Sequence, residues 1–158
     1  MIVFAGLNNG QVYGIRDLVR DNFDIETEWN WKHAKPAFTV VIDPYVFIYN
    51  TWINNADGDD FYEYEASNSV ISRWNNYYKK NRSNVVRIED LYTMDGQMQF
   101  IMKLSKRYSF KLGLYKNRIL WYGRKIKVME DKLSNQQSAY ITSLIDKEIV
   151  NRYGYHAR

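Results

Sequence analysis

Several features are scarce in this 158-residue sequence, and each scarcity excludes a class of protein. There is no cysteine, which excludes disulfides, thiolate metal sites and a cysteine nucleophile. Two prolines and eight glycines leave little room for a flexible linker, so the length predicts a single domain over residues 1–158. The longest apolar run, 40–48, is interrupted by Asp43-Pro44 and is too short to span a bilayer.

The N-terminus also lacks the basic start of a signal peptide. Together these absences predict a cytoplasmic protein with no membrane contact and no cofactor. Hydrophobic residues make up 46% of the chain and aromatic residues 16%, which indicates a folded core. Asn, Lys and Tyr are abundant, and their codons are AT-rich. That bias is typical of many bacteriophages and low-GC bacteria, and in a phage the compartment would be the host cytoplasm.

Periodicity predicts an α+β fold with an antiparallel sheet and about four helices, the C-terminal helix packing on the sheet. Apolar or alternating runs predict strands at 1–5, 24–32, 38–42, 45–53 and 61–65, with Asp43-Pro44 as a bend, bulge or edge. Helical spacing predicts helices at 11–23, from Ser67 or Ser69 to about Lys80, at 97–107, and after Ser134. Ser134 and Gln137 have the spacing of a capping box.

A β-hairpin is predicted from Tyr108 to Val128. A three-residue loop at 116–118 places the apolar residues of both strands on one buried face. These residues are Tyr108, Phe110, Leu112 and Leu114 with Leu120, Tyr122, Ile126 and Val128. The opposite face then displays Lys111, Tyr115, Trp121, Lys125 and Lys127, with Gly113 facing Trp121.

Charge is segregated along the chain. Residues 1–70 hold four Lys/Arg and eleven Asp/Glu, a net charge of −7, and residues 71–158 hold eighteen and seven, a net charge of +11. The stretch 103–127 contains no acid, and aromatic residues are interleaved with its cations. This pattern is typical of a surface that neutralises phosphates and stacks on bases. The predicted nucleic-acid-binding residues are Lys111, Tyr115, Lys116, Arg118, Trp121, Arg124, Lys125 and Lys127, with a second cluster of Arg73, Lys79, Lys80 and Arg82.

A structural explanation competes with this interpretation. The aromatic residues of the hairpin can instead pack beneath a helix while lysines guard a sheet edge. In the second cluster, cations at the end of a helix are favourable for the helix dipole alone.

The acidic half has three explanations. The first explanation is a solvated face. The second is a surface that docks on the basic half, either within the same chain or between the two copies of a homodimer. The third is a decoy for a positively charged protein such as a nucleic-acid-binding enzyme. Its residues are Asp24, Glu26, Glu28, Asp57, Asp59, Asp60, Glu63 and Glu65. The loop around Gly58 fails the spacing of a calcium-binding loop, and we predict no metal there.

The remaining motifs are weak. The segment 6–14, Gly-Leu-Asn-Asn-Gly-Gln-Val-Tyr-Gly, matches no phosphate-loop or dinucleotide-binding pattern, and its glycines are typical of a turn. Glu130-Asp131-Lys132 resembles the E-x-K element of restriction-type nucleases, for which Asp43, Glu63 and Glu65 are further candidate carboxylates. The sequence favours a small nucleic-acid-binding accessory or regulatory protein that acts by binding, without catalytic residues. The alternative is a protein–protein module that inhibits or redirects a host nucleic-acid enzyme, and the third interpretation is a metal-dependent nuclease.

Overall fold

A computed structural model describes residues 2–7, 12–23, 25–30, 32, 36–82, 84–109, 114–115, 118–119 and 121–158, with side chains for all of these except 12, 13, 114, 115, 118 and 119. The chain forms two compact units, each built from two stretches of sequence. Unit 1 is Met1–Val40 with Ser83–Val128, and unit 2 is Val41–Arg82 with Met129–Arg158.

Unit 1 contains a four-stranded sheet. Its strands are β1 (Ile2–Ala5), β2 (Thr27–Trp29), β3 (Phe38–Val41) and β4 (Val85–Arg87), in the order β2-β1-β3-β4. The strands run parallel, and the registers Phe4↔Trp29 and Phe4↔Phe38 show that β1 is the common neighbour of β2 and β3. The α+β content is as predicted, but the antiparallel sheet is wrong. Parallel strands are joined by crossovers, and hydrophobic alternation does not record strand direction.

Two long helices accompany this sheet. They are α1 (Val12–Phe23) and α5 (Met94–Tyr108), the latter preceded by the 3₁₀ turn η1 (Ile88–Leu91). Helix α5 begins where the Thr93 hydroxyl accepts a hydrogen bond from Gly96 N. The rings of Phe4 and Phe38 stack at a centroid distance of 5.7 Å, and Phe100 of α5 meets Phe38 edge-on at the same distance. The core of unit 1 therefore joins helix α5 to the centre of the sheet.

The hairpin exists, but its register differs from the prediction. Strands β5 (Leu114–Tyr115) and β6 (Arg118–Ile119) are antiparallel, with Leu114 opposite Ile119 and Tyr115 opposite Arg118. Two residues, not three, therefore separate the paired positions. A two-residue connection divides the apolar set between the two faces. The predicted position of Gly113 opposite Trp121 lies outside the described residues.

Helix α2 (Pro44–Asn55) occupies the run predicted as a strand at 45–53. The Asp43 carboxylate accepts hydrogen bonds from Tyr45 N at 2.8 Å and Val46 N at 3.3 Å, and Pro44 fills the first helical position. Aspartate at the N-cap followed by proline is a strong helix start. Asp43-Pro44 is thus a helix start, and the predicted bend between strands is wrong.

Helix α3 (Phe61–Asn68) replaces the strand predicted at 61–65, because Asp60 accepts a hydrogen bond from Tyr62 N at 2.7 Å and caps it. Helix α4 (Val70–Lys80) confirms the helix predicted to end at Lys80. Its cap is unusual. Ser69 adopts a left-handed conformation and its side chain makes no capping bond, and the Glu65 carboxylate accepts from Ile71 N at 2.8 Å instead.

The C-terminal region forms α6 (Asn135–Leu144) and α7 (Lys147–Arg152), where one helix was predicted. The capping box is confirmed: Ser134 accepts from Gln137 N, and the Gln137 side chain accepts from Ser134 N. Both helices contact α4 within unit 2. The Tyr153 hydroxyl, after α7, donates to the carbonyls of Tyr78 and Asn81. The packing observed for the C-terminal helices is therefore helix on helix.

The described residues form seven α-helices, more than the four predicted. None of these helices is long and apolar enough to cross a membrane.

Candidate functional site

The strand order of unit 1 creates a distinct position at the carboxyl edge of the sheet. From β1 the chain passes through α1 to β2 on one side, and β3 then lies on the other side of β1. In open parallel sheets, ligands bind outside the carboxyl ends of the strands at such a reversal of strand order. In this sheet the reversal lies between β1 and β3.

Backbone and side chains approach closely at the end of β1. A Cβ atom on Gly6 would lie 2.6 Å from the Val40 carbonyl oxygen of β3 and 2.7 Å from the Trp29 ring of β2. Both distances are shorter than carbon contacts allow, so only glycine fits where three strands end together. The connection from β1 to α1 begins at this crowded point, and residues 8–11 lie outside the described part.

The basic segment, residues 121–128, is held to the rest of unit 1 by the side chains of two buried amide residues. The Asn22 side chain of α1 donates to Tyr122 O at 2.7 Å and accepts from Tyr122 N at 3.0 Å. The Gln97 side chain of α5 donates to Arg124 O at 2.6 Å and accepts from Arg124 N at 3.0 Å. Both amide residues are 1% exposed. These bonds satisfy an extended backbone in the manner of a neighbouring strand.

The basic segment runs along α1 toward the helix start. Tyr122 is bonded to Asn22, near the end of α1, whereas Ile126 is buried 3.4 Å from the Cβ position of Gly14, near its beginning. Lys125 and Lys127 flank Ile126 in sequence. Two lysines are thereby brought toward the beginning of α1, which follows the carboxyl end of β1 along the chain, and helix N-termini favour anions.

The cations of this segment differ in their partners. Arg124 forms an ion pair with Asp21 of α1. Lys125 and Lys127 are exposed, and neither is in an ion pair among the residues that the structure describes. The two lysines are therefore the free positive charges of the segment.

The structure tests the predicted faces of the hairpin only in part. Trp121, predicted on the exposed face, is half-buried, and Tyr122, predicted in the core, is 49% exposed. Val128 is also exposed, and Ile126 is buried as predicted. Lys111, Lys116 and Leu120 lie outside the described residues, as do the side chains of Tyr115 and Arg118. Tyr122 is bonded through its backbone to Asn22 of α1, and strand β6 ends at Ile119, before both residues.

The second predicted basic cluster belongs to unit 2. Its four cations are exposed on helix α4 and just after it: Arg73, Lys79, Lys80 and Arg82. Arg82 Nε donates to the Lys79 carbonyl, near the end of the helix. This contact and the helix dipole account for part of the cluster. The structure thus assigns the two predicted basic clusters to different units.

The predicted acidic residues are also divided. Glu26 and Glu28 belong to unit 1, whereas Asp57, Asp59, Asp60 and Glu63 are exposed in unit 2. Asp24 lies outside the described residues. Glu65 is 5% exposed, and burial raises the pKa of its carboxyl above the ordinary value of 4.5, against hydrogen bonds from Ile71 and Val70 and the charge of Arg73. Glu65 is therefore a helix cap and not part of an acidic surface.

Two of the carboxylates proposed for a nuclease, Asp131 and Asp43, have structural partners in unit 2. Arg158 donates two hydrogen bonds to Asp131, at 2.8 and 2.6 Å, and these bonds lower the pKa of Asp131 below 3.8. Asp43 caps α2, and burial raises the pKa of its carboxyl. Within the described part of the chain, no three His, Asp or Glu side chains come together in a group that could hold a metal ion.

Sequence reasoning missed Asn22 and Gln97. A signal was present, since each amide stands among the apolar residues of an amphipathic helix: Asn22 beside Val19 and Phe23, and Gln97 beside Phe100 and Ile101. A polar residue on a core face requires a buried hydrogen-bond partner. Comparison of the chain with protein-family models, curated proteins and solved structures gives no match.

Proposed function

We propose that unit 1 binds a phosphate-bearing nucleotide at the carboxyl edge of its parallel sheet, between β1 and β3. The observation that carries this proposal is the strand order β2-β1-β3-β4, with all strands parallel. Parallel sheets with such a reversal of strand order bind ligands outside the carboxyl ends of their strands, and this preference does not depend on a particular motif. The proposal therefore stands although the segment 6–14 lacks the lysine of a phosphate loop.

The position of the basic segment also supports a phosphate site. Ile126 packs at Gly14 of α1, so Lys125 and Lys127 are positioned near the first turns of that helix. Helix N-termini attract anions through their unpaired N–H groups and the helix dipole, and lysine adds full positive charge. The role assigned to the two lysines is binding and orientation of phosphate groups.

Calorimetric titration with ATP, ADP, AMP, GTP and inorganic phosphate tests the proposal. We expect saturable binding of at least one nucleotide, and a loss of about tenfold in affinity for Lys125→Ala/Lys127→Ala, which corresponds to about 1.4 kcal/mol. The matched control is Lys79→Ala/Lys80→Ala, which removes two exposed lysines from unit 2 and should leave the affinity unchanged. Absence of binding by every probe, or an equal loss in both double variants, would contradict the proposal.

Nucleic acid is the second candidate ligand, and one observation favours it. Tyr122, 49% exposed, precedes the exposed residues Arg124 and Lys125 in the sequence of the basic segment. An exposed ring among cations is suited to base stacking with phosphate neutralisation. If the three cations of residues 124–127 contact duplex DNA, log K against log salt should have a slope of about −3.

Fluorescence anisotropy with a labelled 20-mer as single-stranded DNA, single-stranded RNA and duplex tests this candidate. Tyr122→Ala should weaken single-strand binding by about 1–3 kcal/mol, the worth of one stacked base. Tyr62→Ala, which removes an exposed tyrosine from unit 2, is the control. Binding that does not change with salt, or that is equally sensitive to both substitutions, would exclude the nucleic-acid candidate. Displacement of the 20-mer by ATP would show that nucleotide and nucleic acid share the site.

A further inference from the structure

Unit 2 carries a continuous row of aromatic rings on helices α2, α3 and α6. Neighbouring rings meet edge to face, with centroid distances of 5.3–6.0 Å. The row runs in the order Tyr49, Trp52, Phe61, Tyr62 and Tyr140. Phe61 is the buried anchor at 2% exposure, and its neighbours extend outward from it.

Much of this aromatic row reaches the surface. Tyr62 is 41% exposed, and Ile53, next to Trp52 on α2, is 54% exposed. Tyr49, Trp52 and Tyr140 are half-buried. The aromatic face is defined as the four surface rings of the row together with the neighbouring isoleucine: Tyr49, Trp52, Tyr62, Tyr140 and Ile53. Adjacent exposed apolar side chains on neighbouring helices are typical of surfaces that bind another molecule.

Acidic residues lie along one side of the aromatic face. Four exposed carboxylates, the acidic rim, lie in the loop before α3 and in its first turn: Asp57, Asp59, Asp60 and Glu63. Trp52 Nε1 donates to the Asp59 carbonyl at 3.0 Å, which joins the loop to the rings. None of the four carboxylates is in an ion pair within the described part of the chain.

Positive charge is missing from the sequence of this region. Residues 36–72, which include α2, α3 and the loop between them, contain no lysine or arginine. Helix α6, which contributes Tyr140, contains no charged residue of either sign. The carboxylates of the acidic rim therefore lack a basic neighbour in the sequence of the three helices that form the face.

We propose that the aromatic face and the acidic rim form a docking surface for an arginine-rich segment of a partner protein. The guanidinium group stacks on aromatic rings through its flat face and pairs with carboxylates through its edge, so one side chain satisfies both features of the surface. Lysine can do the second but stacks less well. Nucleic acid and anionic lipid are repelled by the rim, and charge complementarity thus selects a cationic polypeptide.

Fluorescence anisotropy with labelled nona-arginine and nona-lysine tests this proposal on the full chain. We expect nona-arginine to bind more tightly than nona-lysine. The variant Asp57→Asn/Asp59→Asn/Glu63→Gln should weaken the binding of both peptides by about tenfold, since three exposed ion pairs with the peptide are lost. Asp60 is retained because it caps α3. The matched control, Asp90→Asn/Glu130→Gln/Glu148→Gln, removes three exposed acids elsewhere and should bind as the parent does.

A second variant separates the rings from the charges. Tyr62→Leu keeps apolar bulk and removes the aromatic ring, so nona-arginine should lose severalfold in affinity while nona-lysine loses less. Tyr122→Leu, at a tyrosine of unit 1 that is also exposed, is its control. Equal binding of the two peptides by the parent, or no effect of Tyr62→Leu, would show that charge alone determines binding and would overturn the proposal. Self-association in ultracentrifugation that the acidic-rim variant abolishes would identify a second copy as the occupant and also overturn it.

Discussion

Asn22 and Tyr122, a hundred positions apart in the sequence, are joined by two hydrogen bonds in which the side-chain amide of Asn22 pairs with both backbone groups of Tyr122. Gln97 pairs with Arg124 in the same way. The two amides thus bind alternate residues of one extended stretch, as a neighbouring β-strand would. They fix the backbone on which the free lysines of the basic segment are displayed.

Replacing either amide should destabilise the protein. Asn22→Leu or Gln97→Leu leaves a backbone N–H and a backbone carbonyl without partners, and we expect the free energy of unfolding to fall by about 1–3 kcal/mol. Asn54→Ala, at an exposed position of α2, should change it by less than about 0.5 kcal/mol. Urea denaturation measures all three variants. Parent-like stability of both leucine variants would show that the amide pairs contribute little.

Two glycines of unit 1 should respond in opposite ways to alanine. Gly6→Ala places a methyl group 2.6 Å from a backbone oxygen of β3, so stability should fall by about 1–3 kcal/mol as in other overpacked sites. Gly14 lies within α1, and its Cβ would meet Ile126 at an ordinary 3.4 Å. Gly14→Ala should therefore be neutral or stabilise by up to about 1 kcal/mol through helix propensity. Thermal melts of the two variants compare them directly. Parent-like stability of Gly6→Ala would contradict the close approach at Gly6, and a clear loss for Gly14→Ala would contradict the ordinary contact with Ile126.

Glu65 should make stability depend on pH in a direction unusual for a carboxylate. Burial raises its pKa in the folded protein above 4.5, so the folded state retains the proton to higher pH than the unfolded chain does. The stabilisation is complete below about pH 4.5 and is lost as the pH rises through the raised pKa. Glu65→Gln keeps an oxygen that can accept from Ile71 N and is uncharged at every pH. Its stability relative to the parent should therefore increase from pH 4 to pH 7.

Urea melts at pH 4, 5, 6 and 7 check this expectation for Glu65. Glu63→Gln, an exposed position in the same helix, serves as the control and should show no such trend. A difference between Glu65→Gln and the parent that stays constant with pH, or that shrinks toward pH 7, would show that burial does not raise the pKa of the Glu65 carboxyl.

Asp131 should show the opposite dependence. The hydrogen bonds from Arg158 lower its pKa below 3.8, so its contribution is present above about pH 3.8 and is lost as the pH falls through the lowered value. At pH 7 Asp131→Asn should cost about 1 kcal/mol, because the partly exposed guanidinium of Arg158 is screened by water. The cost should shrink as the pH falls through the lowered pKa. Glu148→Gln, which breaks a surface ion pair with Arg152, should cost less than about 0.5 kcal/mol.

Local signals in the sequence predicted local structure well. The capping box at Ser134 and the helix that ends at Lys80 are both present, because each depends on residues within one or two helical turns. The helix at 45–53 was missed for a physical reason. Residues 44–48 are all buried, so no polar face interrupts the apolar run and its period is lost. Asp43-Pro44 carried the missing information as a helix start.

Long-range features were beyond the sequence. Alternation shows which face of a strand is buried but does not show the direction of its neighbour, so the parallel sheet could not be derived. The register of the hairpin depended on one residue in its loop, and the local sequence did not show that the loop has two residues between the paired positions. The residues that Asn22 and Gln97 bind lie far from them in the sequence. The polarity of the two amides on a core face indicates that buried hydrogen-bond partners exist but does not identify them.

The alternation of the chain between its two units has a consequence for synthesis on the ribosome. Unit 1 needs both Met1–Val40 and Ser83–Val128, so its sheet cannot be completed until the ribosome has translated Val41–Arg82 and β4. The unit as a whole also needs the basic segment, which is translated later. Strand β1 is synthesised long before β4 completes the sheet, and α1 is synthesised long before the stretch that Asn22 binds. Contacts between such distant segments form slowly. A truncated chain that ends before residue 128 would therefore leave the N-terminal strands incompletely covered and prone to aggregation.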